Sequence, residues 1–366
     1  MQYPINREFQ IFSVPNFTGG IVVHPYQDNE AQSIINMEPQ RDGSLKTIYG
    51  SFKVNDAALN GSECLDLYSG QVDGGWCIIA VESSPVEVYA AVSADFCPEL
   101  PLTFNDITPV APLGGAPYWS FCQSSDTANN RIILMTNHVD GLYKWDNGAT
   151  GALMQTIAAA PANGSFVCQY QGYTMICADN SVFVSDYADP ETWPGAQEIQ
   201  LSGNMGNVLG LAPVVGRVLV ICERGLLEMR GTTYEDLSEV IPVNSTIGCY
   251  FPRTISTFGN EVAFLHYTGP YIYNVGSMQI QYIGEPLKEW FSSKSREFDL
   301  SADARYYWKG HLTRHHYILT GHTTVDIDNR ICLVFDRRLN AWFELQMPTA
   351  LAPWSFSSTE TIRVVY

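Results

Sequence analysis

The sequence is short of basic residues. Its 366 residues include 20 Lys and Arg against 38 Asp and Glu, a formal net charge of −18. Charged residues of both signs reach only 16%, against roughly 25% in typical soluble domains. A chain so poor in cations does not wrap nucleic acid by neutralising its phosphates. No run approaches 18 apolar residues, and Met1 to Phe12 hold no basic stretch followed by an apolar one. Neither a membrane span nor a secretory leader is therefore expected. The nine cysteines (64, 77, 97, 122, 168, 177, 222, 249 and 332) form no CxxC pair, which removes the usual zinc and redox spacings. Phosphate-binding loops, a GxSxG nucleophile elbow and HExxH are also missing.

What is present argues for a large packed body. Hydrophobic residues make up 46%, with 20 Tyr, 17 Phe and 8 Trp, which excludes a disordered chain. Several cysteines sit inside apolar runs such as Thr174 to Cys177 and Val220 to Cys222. They read as buried reduced thiols of a protein folding in a reducing cytosol.

Strand signals dominate. Short β-branched and aromatic runs, bounded by Gly, Asn, Asp or Pro, fall into hairpins of similar shape. The first joins Trp76–Val81 to Val86–Ala90, and the second Arg131–Thr136 to Leu142–Trp145. The third joins Tyr173–Cys177 to Val182–Ser185, and the fourth Arg217–Cys222 to Leu226–Met229. The last two join Glu261–His266 to Tyr271–Asn274 and His315–Thr320 to Arg330–Phe335. A repeat of about 40–50 residues of pure β structure marks a propeller, whose four-stranded blades bury their faces by stacking around an axis. The expected fold is all-β, a β-propeller of six blades, with five as the alternative count. Residues 1–50 form an N-terminal arm with the first strands, and 51–366 the body. Phe166–Tyr170, Glu198–Leu201, Val208–Val214 and Ile280–Ile283 supply further strands, and Thr361–Tyr366 is a candidate closing strand paired with an N-terminal one. One short inserted helix is expected near 286–298, within an insertion of about 285–300. Pro286 suits a first helical turn, and Leu287, Trp290, Phe291 and Phe298 fall near one face.

Catalytic chemistry finds little footing. His311 and His315 would share a face if both lay on one strand, but they lack an acidic or thiol partner at ligand spacing, so no metal is expected. Ser185 to Trp193 resembles the Asp-box of sialidases. It lacks the Gly and the acid-to-Trp spacing, and it occurs once. No catalytic residue and no cofactor is assigned, and an enzyme is not expected.

The charge is unevenly spread. Residues 54–216 hold 17 acids against Arg131 and Lys144 alone, while 217–366 hold 14 basic and 16 acidic groups.

The chain resembles the β-propeller tail proteins of short-tailed bacteriophages, the group of tail nozzle and packaged-DNA stabilisation proteins. Asn16–Ile21, Glu30–Asn36, Gly43–Lys46 and Gly50 carry the likeness at the start. Val182–Asp186 with Asp189–Pro194, Gly216–Val220 with Arg224–Met229, and Gly259–Leu265 with Gly269–Tyr273 continue it. The resemblance implies a virion protein assembled in the host cytoplasm. It would form a homo-oligomeric ring, a hexamer, that contacts an adaptor or other tail proteins and passes double-stranded DNA without binding it specifically. Distal nozzle and proximal adaptor positions both stay open, as do two other readings: a host-receptor or glycan-binding propeller, and a glycosidase. On the ring reading the acid-rich stretch lines the lumen, and Asp56, Glu63, Asp66, Asp73, Glu82 and Glu87 are the lumen candidates. Pro117, Tyr118, Trp119, Trp290 and Phe291 are the candidates for subunit contacts.

Overall fold

A computed structural model describes residues 64–345 apart from 84, 96–101, 116–117, 149–151, 292–302 and 323–329. It also describes short strands at 20–21, 30–31, 37–39, 45–47, 355–356 and 364–365. Between Cys64 and Leu345 lie six antiparallel four-stranded sheets, each built from four consecutive strands. They are the six blades of a propeller. The first strands are Cys64–Val72, Ser120–Ser125, Phe166–Tyr170, Val208–Val214, Phe251–Phe258 and Lys309–Leu312. From blade one to blade six, each lies beside the first strand of the next blade, so they are the inner strands around the axis.

The six hairpins read from the sequence are the two middle strands of each blade. Arg131–Thr136 pairs with Leu142–Trp145 and Arg217–Cys222 with Leu226–Arg230, in antiparallel register. These middle strands show contiguous apolar runs because both faces are covered by neighbouring blades: Tyr173–Ala178 is buried at every position. The hairpin turn between Tyr170 and Tyr173 holds Gln171 and Gly172 at φ 49° and 86°. Glycine suits the second position, and the ring of Tyr187 lies where a Cβ would project.

Five apolar clusters bind the blades in sequence. They join blades one and two (around Trp119 and Trp145), two and three (Leu134, Val167), three and four (Met175, Val220), four and five (Phe264, Tyr273), and five and six (Trp308, Trp342). Cys77, Cys168, Cys177, Cys222, Cys249 and Cys332 are buried free thiols, as expected from their apolar surroundings. Burial raises each of them well above the ordinary thiol value.

The expected insertion opens as a 3-10 turn at Glu285–Leu287 with Pro286 in its first turn, and Leu287 and Phe291 pack into the cluster between blades five and six. Residues 292–302, and so the rest of the expected helix, lie outside the described residues. The one α-helix among the described residues is Tyr234–Leu237. Its N-cap is Thr233, whose side chain accepts a hydrogen bond from the Asp236 amide. The closing strand needs correction. Val364–Val365 pairs with Ser355–Phe356, a neighbour in the chain, and blades one and six are complete without either terminus.

Candidate functional site

A buried polar constellation bridges the inner strands of blades one, five and six. Asp66, on the inner strand of blade one, is 7% exposed. It takes an ion pair from Arg253 of blade five and a 2.6 Å contact from Lys309 Nζ of blade six. Its other oxygen accepts the Trp119 amide of blade two at 2.8 Å. Arg253 also donates to the Tyr306 carbonyl at 2.8 Å and Lys309 to the Leu65 carbonyl at 2.6 Å. Burial alone would push the Asp66 carboxyl up, but the two cations outweigh it and hold it below its ordinary value. Burial, reinforced by Arg253, brings the Lys309 ammonium down to about 8.

Next to this node lies a stack of rings. Tyr118, just ahead of the inner strand of blade two, stacks on His138, on Phe166 of blade three and on Tyr306 ahead of blade six, at 5.3, 5.1 and 4.8 Å between centroids. Contact between blades that are not neighbours places this stack on the axis. Arg305 lies over the Tyr250 ring at 5.4 Å and pairs with Glu223 at 3.3 Å. Blade four carries a second buried acid. Glu228, 1% exposed, accepts from Arg217, Arg230 and, across the boundary to blade five, the Tyr273 hydroxyl at 2.9 Å.

The lumen candidates separate sharply. Asp56 and Glu63 lie outside the described residues. Asp66 is corrected: it is a buried, doubly paired carboxylate and offers no free charge to a lumen. Glu82 is corrected for the same physical reason of burial, at 3% exposure. Glu87 is half-buried and accepts the Tyr89 hydroxyl at 2.5 Å. Asp73 is exposed, on the turn that follows the inner strand of blade one. Among exposed or half-exposed acids, Asp95, Asp126 and Asp146 stand on turns at the same end of the blades.

The contact candidates also change. Pro117 lies outside the described residues, while Tyr118 and Trp119 are 3% and 4% exposed and belong to the chain's own interior. Phe291 is buried against Trp308, and Trp290 packs half-buried on the same cluster. These four serve the propeller's own packing in the single chain. The sequence reading missed Val110, which is 92% exposed between Pro109 and Pro112. Its loop is tied at both feet: Thr108 accepts the Val88 amide at 2.8 Å, and Asp140 accepts the Gly114 amide at 2.8 Å. Paired prolines bracketing an apolar residue were the available signal.

The two catalytic possibilities gain no geometry. His311 is on an inner strand but His315 is in the turn after it, so they do not share a strand face. Among the described residues no three His, Cys, Asp or Glu side chains are grouped to hold a metal. In the Asp-box-like segment, Asp189 accepts the Glu191 amide at 3.0 Å, Trp193 Nε1 donates to the Pro190 carbonyl at 2.9 Å, and Glu191 pairs with Lys144 at 2.7 Å. These contacts hold the loop together.

With this geometry in place, solved structures give the comparison. The WD40 β-propeller domain of Doa1 superposes with a TM-score of 0.51 at 10% identity, over 83% of this chain and 90% of that one. The chain has a WD40-like β-propeller fold. At that identity the likeness extends to the fold alone. The propeller also aligns with PorZ, a surface component of the type-IX secretion system of Porphyromonas gingivalis, at TM-score 0.46 and 12% identity, over 82% of this chain and 35% of that one. For the WD40 domain of Toxoplasma gondii coronin the values are 0.42, 11%, 66% and 62%. No protein-family model matches the sequence, and no curated relative matches it.

Proposed function

We propose that this propeller is a structural subunit of the tail of a short-tailed bacteriophage. Six copies form a ring that retains the packaged genome and conducts double-stranded DNA on ejection, as nozzle or as adaptor-proximal hub. The observation that carries the reading is the partition of charge on a chain whose turns and strands resemble that group. Residues 54–216 hold two cations, and both are engaged: Arg131 Nη1 donates to Gln71 at 2.7 Å and Lys144 pairs with Glu191 at 2.7 Å. A surface of this kind repels phosphates and does not retain a passing duplex. The conduit is the space enclosed by the ring, because the Tyr118 stack lies across the propeller's own axis. Asp73, with Asp95, Asp126 and Asp146 at the same end, replaces Asp66 and Glu82 as the DNA-facing set.

A ring of one chain needs a head-to-tail interface, for which the tied Val110 loop supplies a rigid apolar contact. The buried thiols suit assembly in a reducing host cytoplasm. The test is a reconstruction of the virion together with sedimentation of the purified chain. Six copies at one tail radius are expected, and Asp73→Lys with Asp126→Lys and Asp146→Lys slows DNA release. A chain that is absent from the tail axis, or that stays monomeric and captures glycans, replaces this reading with the receptor-binding one.

A further inference from the structure

An asparagine followed by glycine exposes its side-chain amide to attack by the next backbone nitrogen, because glycine puts no Cβ in the way. The sequence holds three such pairs, Asn60–Gly61, Asn147–Gly148 and Asn163–Gly164. The first lies outside the described residues. The other two differ in what holds the attacking nitrogen. Gly164 is buried and built into the joint between blades two and three. Its amide donates to the Pro161 carbonyl at 3.3 Å, and its carbonyl accepts the His138 amide at 2.9 Å and the Thr136 hydroxyl at 2.5 Å. A Cβ on Gly164 would overlap the Ile176 side chain, so the backbone there has no room to move. Gly148 is exposed, on the turn that follows Leu142–Trp145 of blade two. Its amide donates to a carboxylate, Asp146 Oδ1, at 2.8 Å. Asn147 stands between them at φ 55°, a left-handed conformation that asparagine tolerates. Its side chain donates to the Asp73 carbonyl of blade one at 3.3 Å.

We propose that Asn147 is a self-modification site, converting through a succinimide to aspartate and isoaspartate with Asp146 as the general base. The Gly148 nitrogen attacks Asn147 Cγ while the Asp146 carboxylate, which already holds the hydrogen of that nitrogen, takes the proton. A bond forms between the Gly148 nitrogen and Cγ. The bond from Cγ to Nδ2 breaks, and Nδ2 leaves as ammonia with the proton that Asp146 returns. Water then adds across one of the two carbonyl–nitrogen bonds of the imide. Opening at Cγ gives aspartate, and opening at the backbone carbonyl gives isoaspartate. Nothing is oxidised or reduced, and the only co-reactant is water. Either product carries a negative charge where the amide was neutral. A carboxylate cannot donate to the Asp73 carbonyl, so the tie between the turns of blades one and two is lost. The chemistry belongs to the single chain and does not depend on what the chain assembles into.

Peptide mapping by mass spectrometry of the full chain, incubated at mildly alkaline pH, tests this. Conversion adds about 1 Da, and fragmentation tells isoaspartate from aspartate. Asn147 is expected to convert at least about 10-fold faster than Asn163, whose glycine is locked in place. Asp146→Asn keeps an acceptor oxygen and removes the base. It slows conversion of Asn147 by about 10-fold or more and leaves Asn163 unchanged. In urea the unfolded wild-type chain converts both asparagines at similar rates, which assigns the difference to the fold. Equal rates at the two sites in the folded chain, an Asn147 that stays intact, or an unchanged rate in Asp146→Asn overturns the proposal. So does a preference for Asn147 that persists undiminished in urea. If Asp146→Asn does not fold, the comparison of the two sites in folded and unfolded wild type decides by the same criteria.

Discussion

Replacing Glu228 with glutamine keeps the shape of the side chain and removes its charge. The carboxylate is 1% exposed and accepts five hydrogen bonds: two from Arg217 at 3.0 and 2.9 Å, two from Arg230 at 3.0 and 2.6 Å, and one from Tyr273 at 2.9 Å. Breaking a buried ion pair by removing one partner costs about 3–5 kcal/mol. Both guanidinium groups keep some access to water, with side chains 21% and 40% exposed, so they recover part of their hydration. The expected loss is therefore at the low end, about 3 kcal/mol, or roughly 5 °C of melting temperature for a chain of this size. The pH dependence has a definite sign. Burial pushes the Glu228 carboxyl up, but Arg230, Arg217 and Tyr273 outweigh it and hold it below 4.5. The wild-type advantage is complete above that value and is lost as pH falls through the lowered folded value, while glutamine does not titrate. Urea denaturation of both proteins from pH 7 to pH 3 reads the difference. A gap under about 1 kcal/mol at pH 7, or a gap that stays constant to pH 3, refutes the account of this node.

Two further outcomes follow from other residues. Burial brings the His266 imidazole down to about 4 from 6.5, so the unfolded chain takes up a proton first and stability falls as pH drops through that window. His266→Gln flattens the slope between those pH values in chemical denaturation, and equal slopes in the two proteins contradict this. Val110→Asp leaves folding stability within about 0.5 kcal/mol, because the side chain is 92% exposed, and weakens self-association by about 10-fold or more. Unchanged sedimentation across a concentration series removes Val110 from the subunit interface.

The middle strands were legible because packing on both faces turns them into contiguous apolar runs with turn residues at their ends. Outer strands were harder: Asn105–Asp106 and Gln155–Thr156 are two residues long and exposed, and nothing in their composition separates them from loop. The helix Tyr234–Leu237 had a readable signal in Thr233 followed three residues later by Asp236, a side-chain cap ahead of the buried Leu237. Tyr118 and Trp119 read equally as contact residues or as interior, since large aromatic side chains serve both. They became interior because the inner strands bring Phe166 and Tyr306 beside them. Asp66 was visible only as one acid among many. Its partners are 187 and 243 residues away, and no local pattern announces a pairing across that distance.

That separation also orders events at the ribosome. Each blade is complete within consecutive strands, so it can form as soon as its fourth strand has emerged, and each new blade finds an apolar face on the one before. Asp66 is synthesised early, in the first blade, and its two native partners, Arg253 and then Lys309, follow much later. Until then it stays hydrated, which disfavours premature closure onto a shorter stack. A chain truncated before blade five therefore carries Asp66 with neither Arg253 nor Lys309 to pair it, and the full node assembles only when nearly the whole protein has been made.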